Sequence, residues 1–166
     1  MKRTLITLLA TAVLSLTASA QNLVGIWRWT TEPGAHKFLE FKQNGKVNCR
    51  DYATFTIEDN YTITVTGWIR WEASYTRKGN TLTIVNRPST AKAEVVGLEV
   101  VPEVPQSTYN KIKASIVKQL NLSAAANMSS KPERCTIEHF TNDCLLMIVD
   151  DETAQYFRVG NYNVTE

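Results

Sequence analysis

This 166-residue sequence contains few of the residues on which chemical sites usually depend. It has two histidines, His36 and His139, and three cysteines, and their spacing does not match that of a metal site. Glycine-rich phosphate loops and the nucleophile elbow of hydrolases are also missing. The sequence therefore predicts no catalytic residues, no metal site and no cofactor, and we do not expect an enzyme.

The chain also has no net charge once a predicted leader is removed. Lys2-Arg3 precedes an apolar run over residues 5–16, and Ala18-Ser19-Ala20 follows, which is the pattern of a cleavable signal peptide over residues 1–20. Its removal takes away two of the 18 basic residues, so that 16 basic residues balance 16 acidic ones. A neutral chain without basic clusters argues against nucleic acid as a partner. We expect a periplasmic or extracellular protein, with no transmembrane segment after cleavage.

The three cysteines would meet oxidising conditions outside the cytoplasm, where disulfides form. Their odd number leaves at least one thiol unpaired within the chain. If Cys135 and Cys144 lie on the two arms of a regular hairpin around Asn142-Asp143, they are about 20 Å apart along the strand at ~3.4 Å per residue, so no bridge is expected between them. Cys49 could pair with either one, or all three could be small buried hydrophobic residues.

Most of the chain alternates apolar and polar residues with a period of two, which indicates β-strands with one buried face. The clearest example begins at Tyr61 and reaches Glu72. Asn44-Gly45 is a strong signal for the tight turn of a hairpin. The predicted strands cover residues 23–31, 36–43, 46–58, 61–72, 81–86, 134–140, 145–149 and 154–159.

The β pattern stops between the fifth and sixth of these strands. Arg87-Pro88-Ser89 indicates a break, and an insertion is predicted over about residues 88–131. Apolar residues at helical spacing predict a helix over residues 108–120, capped by Ser107 or Thr108 and packed over an open end of the sheet. Residues 91–101 could form an additional strand, and residues 123–130 are expected to be a flexible connector.

Eight antiparallel strands in chain order leave two unpaired edges, which closure into a barrel removes most simply. The first strand would then pair with both the second and the last. The predicted fold is mainly β: an eight-stranded antiparallel up-and-down barrel with one inserted α-helix between the fifth and sixth strands. It forms a single domain over residues 21–166.

The first and last strands also resemble those of a known family. Leu23-Val24-Gly25-Ile26-Trp27 and Tyr156-Phe157-Arg158-Val159 look like the lipocalins, in particular the small secreted lipocalin-like proteins of Bacteroidetes-type bacteria. Residues 41–47, 79–84 and 137–146 echo the same pattern. The resemblance implies a calycin-like barrel in which Trp27 packs across the closed end and Arg158 lies over it in a cation–π contact. Gly25, Trp27 and Arg158 are thus expected to close the barrel.

A barrel of eight strands has room inside for side chains or for one small ligand. With the resemblance, this predicts a binding protein for a small hydrophobic ligand. Asp51 is a candidate because it shares a face with Val47 and Cys49, where a charge needs a partner, unless a β-bulge turns it outwards. The other candidate ligand-binding residues lie on the apolar faces of the third and fourth strands: Phe55, Tyr61, Ile63, Val65, Ile69 and Trp71.

The alternative is a protein-interaction module, such as a secreted enzyme inhibitor, that contacts its partner through loops and the inserted segment. An outer-membrane barrel is not expected, because polar residues of the fourth strand, including Arg70 and Glu72, would face lipid. His139 shares a face with Cys135 and Ile137, and we expect it to be a hydrogen-bonded histidine at the barrel rim.

Overall fold

The computed structural model describes residues 23–164, in which eight strands form one antiparallel sheet closed into a barrel. The predicted leader lies outside the described residues. Each strand pairs with the next in the chain, and the last pairs with the first, so the predicted fold class is confirmed. The elements are β1 (Gly25–Glu32), β2 (Ala35–Phe41), β3 (Lys46–Glu58), β4 (Thr62–Lys78), β5 (Thr81–Val101), α1 (Gln106–Asn127), β6 (Glu133–Phe140), β7 (Cys144–Val149) and β8 (Glu152–Val159).

Strand β5 is much longer than predicted, and the break expected at Arg87-Pro88-Ser89 is wrong. Arg87 pairs with Glu72 and Lys92 pairs with Arg70, so residues 88–91 bulge out of the ladder opposite one residue of β4. A bulge accommodates proline because the ladder needs no N–H donor there. Residues 91–101 continue β5 and are not an additional strand, and the helical insertion begins only after Val101.

Helix α1 extends beyond the predicted residues 108–120 at both ends. The carbonyl of Pro105 accepts hydrogen bonds from the N–H groups of Thr108 and Tyr109. Within the part of the chain that the structure describes, no side chain caps this end, so the predicted cap at Ser107 or Thr108 is wrong. The helix continues to Asn127, through most of the predicted connector, where consecutive alanines favour helix.

The helix packs against β5, where two polar contacts fix its position. Tyr109 donates a hydrogen bond from its hydroxyl to the carbonyl of Leu98, 3.2 Å away, and the Ala93 N–H donates to Asn121 Oδ1 at 2.9 Å. Ile116 and Ala124 are buried. Within residues 23–164, no helix has the length and apolar character needed to cross a membrane.

Strands β3, β4 and β5 project beyond the barrel. Strand β2 pairs with β3 only as far as Tyr52, and β6 pairs with residues 81–84 of β5 only. The distal parts of the three long strands therefore form a separate three-stranded layer, with α1 on its β5 side. We call residues 53–58, 62–67 and 95–101 the extension.

The core begins at the end of the barrel at which β1 begins, and on β6 and β8 it extends to Cys135 and Ala154 near the opposite end. Alternation along each strand directs one face inwards, and these inward side chains form a single buried cluster. Its members are Leu23, Trp27, Leu39, Phe41, Val47, Cys49, Ala73, Tyr75, Leu82, Ile84, Cys135, Ile137, Leu145, Met147, Ala154 and Tyr156. This part of the interior is therefore occupied by side chains.

All three cysteines are free thiols. Cys49 and Cys135 are buried in the core, and burial raises the pKa of Cys49 to about 12 and that of Cys135 to about 11. Cys144 is partly buried, and Gln155 contacts its sulfur at 3.6 Å. The sequence left open whether Cys49 forms a disulfide or all three cysteines are small buried hydrophobic residues. The structure shows no disulfide, and Cys49 and Cys135 are small buried residues.

Candidate functional site

One end of the barrel is closed by Trp27 and Arg158. The guanidinium carbon of Arg158 lies 4.3 Å from the centroid of the Trp27 ring, which is the contact expected from the resemblance. The same guanidinium donates hydrogen bonds to the carbonyls of Val24, at 2.5 Å, and Asn142. Gly25 has a φ of +137°, and a Cβ atom there would collide with Arg158 Nη1. Only glycine fits beneath this guanidinium without strain.

A second cation and ring extend this closure. The Phe140 ring lies 5.8 Å from the Trp27 ring, and the guanidinium carbon of Arg77 lies 5.1 Å from the Phe140 centroid. Trp27 also donates its indole N–H to the carbonyl of Leu23 at 2.8 Å. Two arginines therefore cover two aromatic rings at this end of the barrel. A ligand would have to enter from the opposite end.

At the opposite end, the strand register places inward residues of five neighbouring strands side by side. We call this row the mouth layer: Trp29, Lys37, Asp51, Ile69 and Ala93, on β1 to β5 in that order. The row directly below it, nearer the closed end, contains Trp27, Leu39, Cys49 and Trp71. On β1, β2 and β3, the mouth layer is thus the first row above the buried core.

Asp51 is the unusual residue of the mouth layer. Strand β3 pairs with β2 and β4 without a register shift, so the bulge considered as a way to turn Asp51 outwards is wrong. Its Oδ1 atom is fully buried and has no hydrogen-bond partner among the described residues. Burial raises the pKa of the carboxyl group, and the nearby Lys37 ammonium opposes the rise.

Lys37 does not satisfy the Asp51 Oδ1 atom, although the two residues are register partners. Its ammonium lies 5.8 Å from the Trp29 ring centroid. The Trp29 ring in turn packs 5.7 Å from Tyr156. The mouth layer thus already holds one cation against an aromatic face, beside a carboxylate oxygen that lacks a donor.

Glu133 adds a second carboxylate that the sequence interpretation missed. It shares a face of β6 with the buried Cys135 and Ile137, and it pairs with Ile84. Its charge contributes to the raised pKa values of Cys49, Cys135 and Tyr156, after burial as the main cause. The alternation through Glu133, Cys135 and Ile137 was a signal for its inward direction.

The predicted ligand-binding residues fall into two groups. Asp51 and Ile69 lie in the mouth layer, and Trp71 lies in the row below, where its indole N–H donates to Asn86 Oδ1 at 2.8 Å. The other four belong to the extension or to the turn at its tip. These are Phe55 and Ile63, which are partly exposed, Val65, which is fully buried, and Tyr61, which precedes β4.

A cavity of about 450 Å³ opens where β5 bulges away from β4. It is lined by Asn48, Cys49, Arg50, Arg70, Trp71, Glu72, Ser89, Thr90 and Lys92. Cys49 and Trp71 belong to the row just below Asp51 and Ile69. A volume of this size is within the usual range for sites that hold small molecules.

A cluster of aromatic residues on the outer face of β2 to β4 was not predicted. Phe38 is fully buried there, although Leu39 beside it points into the core. The chain after β8 covers it: Tyr162 packs 5.6 Å from the Phe38 ring, and its hydroxyl donates to Glu40 Oε2 at 2.8 Å. The guanidinium carbon of Arg50 lies 3.6 Å from the Tyr162 centroid. We interpret this cluster, which also includes His36, Tyr52 and Trp68, as structural.

Two further expectations concern metal and histidine. Across residues 23–164, no group of three or more His, Cys, Asp or Glu side chains is placed to hold a metal ion. His139 is exposed, beside a register shift between β6 and β7.

No protein-family model and no curated protein matches the chain. Function must therefore be inferred from the geometry of the mouth layer.

Proposed function

We propose that this protein is an exported, lipocalin-like binding protein that holds a small, mainly hydrophobic ligand at the mouth of its barrel. The observation that carries the proposal is the buried Asp51 Oδ1 atom without a hydrogen-bond partner. A buried polar atom in this state lowers stability. Residues that break such a rule without local compensation are typical of functional sites.

The surroundings of Asp51 support a ligand site. Small-molecule sites are usually lined by apolar and aromatic side chains, with a few polar groups that orient the ligand. Ile69, Ala93 and Trp29 supply the apolar part of the mouth layer, and Asp51 and Lys37 supply the polar part. The other end of the barrel is sealed by Trp27 and Arg158. A ligand would therefore enter at the mouth layer.

Two measurements test the binding function. Native mass spectrometry of the mature protein, purified from its own host, should show a retained small molecule. The neutral dye Nile red should bind the purified protein, and Trp71→Ala or Ile69→Ala should weaken its binding about tenfold, the effect of losing a buried apolar contact worth ~1.4 kcal/mol.

The matched control is Trp68→Ala, since Trp68 lies on the outer face of the same strand. It should leave dye binding unchanged in protein that is folded by circular dichroism. If the folded wild-type protein retains no molecule and binds no dye, the proposed function is wrong.

A second function, protein interaction, is favoured by one specific observation. Residues 53–58 of β3 lie beyond the last pair with β2, so one side of this strand carries no ladder partner in the described part of the chain. Phe55 and Ile57 on this edge are 38% and 40% exposed. Exposed edge strands of this kind bind extended peptides by β-augmentation. The candidate contact surface is therefore the β3 edge, because much of the inserted segment belongs to β5.

The interaction function is tested by capture of partners from the extracellular or periplasmic fraction. A Phe55→Ser/Ile57→Ser variant should lose a partner that the wild-type protein captures. The control Thr54→Ser/Thr56→Ser changes the opposite face of the same edge and should retain it. Equal capture by both variants would show that this edge is not the contact surface.

A further inference from the structure

We propose that the ligand carries a protonated amine, which donates a hydrogen bond to Asp51 and lies against Trp29. This inference rests on the proposed function and specifies the class of ligand. It depends on the juxtaposition, in the mouth layer, of a buried acceptor without a donor and an aromatic ring that already faces an ammonium. A second inward-facing carboxylate, Glu133 on β6, adds negative charge to the interior.

The first step concerns charge. Asp51 on β3 and Glu133 on β6 both face the interior, and Lys37 on β2 is the register partner of Asp51. The charge of Asp150, in the turn between β7 and β8, also reaches Cys135. Among the described charges that act on Cys49 and Cys135, the three carboxylates of Asp51, Glu133 and Asp150 therefore outnumber the single ammonium of Lys37. Such a site attracts a cationic group and repels a carboxylate.

The second step concerns hydrogen bonding. A carboxylate oxygen accepts hydrogen bonds and donates none when it is ionised. Because Asp51 Oδ1 has no donor within the described chain, the ligand group that satisfies it must carry an N–H or O–H. A protonated amine brings both the donor and the opposite charge, and such charge-assisted bonds are about twice as strong as neutral ones.

The third step concerns the aromatic face. Lys37 shows that an ammonium fits against the Trp29 ring, since its Nζ atom lies 5.8 Å from the centroid. Lys37 is nevertheless not bonded to Asp51 Oδ1. A ligand amine can therefore take over the ring contact and also reach the oxygen that Lys37 leaves without a donor.

Four probes with the same eight-carbon chain separate these contributions: octylamine, octyltrimethylammonium, 1-octanol and octanoate. Their affinities for the mature full-length protein are measured at pH 7 by displacement of Nile red. Octylamine should bind about tenfold more tightly than 1-octanol, as expected for one hydrogen bond to a charged group. The quaternary ammonium should be intermediate, because it contacts the ring but donates no hydrogen bond, and octanoate should be weakest.

Variants then assign the effect to residues. Asp51→Asn should lower octylamine affinity about tenfold, to that of 1-octanol, and Glu133→Gln should lower it a few-fold. Lys37→Met should raise it, since the competing ammonium is gone. The matched control is Glu138→Gln, because Glu138 is an exposed residue of the same strand as Glu133. The hydroxyl of 1-octanol can donate to an aspartate or an asparagine oxygen, so affinity for 1-octanol should change much less than affinity for octylamine in all four variants.

The outcomes separate this inference from the proposed function. If 1-octanol and octylamine bind the wild-type protein equally, the amine specificity is wrong while the binding function stands. If octanoate binds most tightly and Lys37→Met abolishes its binding, Lys37 is the anchor and the inference is overturned. If neither Nile red nor any of the four probes binds, the proposed function itself is wrong.

Discussion

Gly25 shows how a single residue position depends on a distant one. Its positive φ is costly for any residue with a Cβ atom, and the Arg158 guanidinium occupies the space where that atom would lie. The two residues are at opposite ends of the chain, yet they meet where β1 and β8 close the barrel. Both the backbone conformation at residue 25 and its close contact with the Arg158 guanidinium therefore favour glycine.

We expect Gly25→Ala to lower the free energy of unfolding by about 1–3 kcal/mol, from backbone strain and displacement of Arg158. Urea unfolding followed by tryptophan fluorescence measures this loss. Gly160→Ala is the control, because among the described residues no atom beyond its two chain neighbours would lie within 4 Å of a Cβ atom at this position. Equal midpoints for the two variants would contradict the role given to Gly25.

Asp51 makes stability depend on pH. Its pKa in the folded protein is raised above the ordinary 3.8 by burial, so the folded state binds its proton more tightly than the unfolded state does. The contribution of Asp51 to stability is therefore favourable at low pH and is lost as pH rises from about 3.8 through the raised value. Lys37 weakens this effect, since its ammonium favours the ionised form.

Asp51→Asn should therefore be more stable than the wild type at pH 7, on the order of 1 kcal/mol, because it removes an ionised group that is buried without a partner. The gain should shrink as the pH is lowered towards 4. Urea titrations at several pH values measure it. Asp59→Asn, at an exposed turn residue, should follow the wild-type curve at each pH. A constant difference between Asp51→Asn and the wild type would contradict the assignment.

At the scale of the elements, predictions from the sequence succeeded where local signals mark both ends of a strand. Residues 46–58 were predicted as β3 without error, because Asn44-Gly45 and Asp59-Asn60 are strong turn signals on either side. Strand β5 failed because Arg87-Pro88-Ser89 has the composition of a loop. Only pairing with β4 shows that four residues bulge there and that the strand then resumes.

The segment after β8 stabilises the outer face of the barrel, and no local pattern predicts this. Tyr162 lies three residues beyond β8, but it covers Phe38 on β2 and contacts Arg50 on β3. Because these partners are more than 100 residues away in the sequence, their contact depends on barrel closure. The outward-facing Phe38 would otherwise be a large exposed apolar side chain.

We expect Tyr162→Ala to lower the free energy of unfolding by about 2 kcal/mol, through loss of the ring contacts with Phe38 and Arg50. Tyr162→Phe keeps the ring but removes the hydrogen bond to Glu40, and should cost about 1 kcal/mol. Thermal and urea unfolding measure both. A fall no larger for the alanine variant than for the phenylalanine variant would show that the ring contributes nothing.

For the whole molecule, closure was predictable and the complete site was not. The number of strands and the need to cover two sheet edges predicted that β1 meets β8, which the register confirms. Asp51 was identified by alternation along one strand. Lys37 belongs to another strand, and its place beside Asp51 depends on register between strands, which periodicity within each strand does not determine. The charge of Glu133 on β6 reaches Cys49 on β3 because the barrel closes, which periodicity does not predict either.

Closure also predicts where the barrel opens first. Strands β1 and β8 pair only at residues 26–28 of β1, and β5 and β6 pair only at residues 81–84 of β5. These two short ladders have fewer hydrogen bonds to break than the longer neighbouring ladders, so they should open at a lower free energy. Hydrogen exchange measured by mass spectrometry should therefore show at least about tenfold faster exchange there than at the ladder between β2 and β3.

Arg158→Lys tests which of the two short ladders depends on the closed end. Lysine keeps the charge but cannot both lie flat on Trp27 and donate to two carbonyls. Exchange should become about tenfold faster between β1 and β8, corresponding to ~1.4 kcal/mol of local stability, and stay unchanged between β5 and β6. The exposed Arg134→Lys should change neither ladder. Equal acceleration of both ladders would mean that Arg158 supports the barrel as a whole and is not a local closure of its first and last strands.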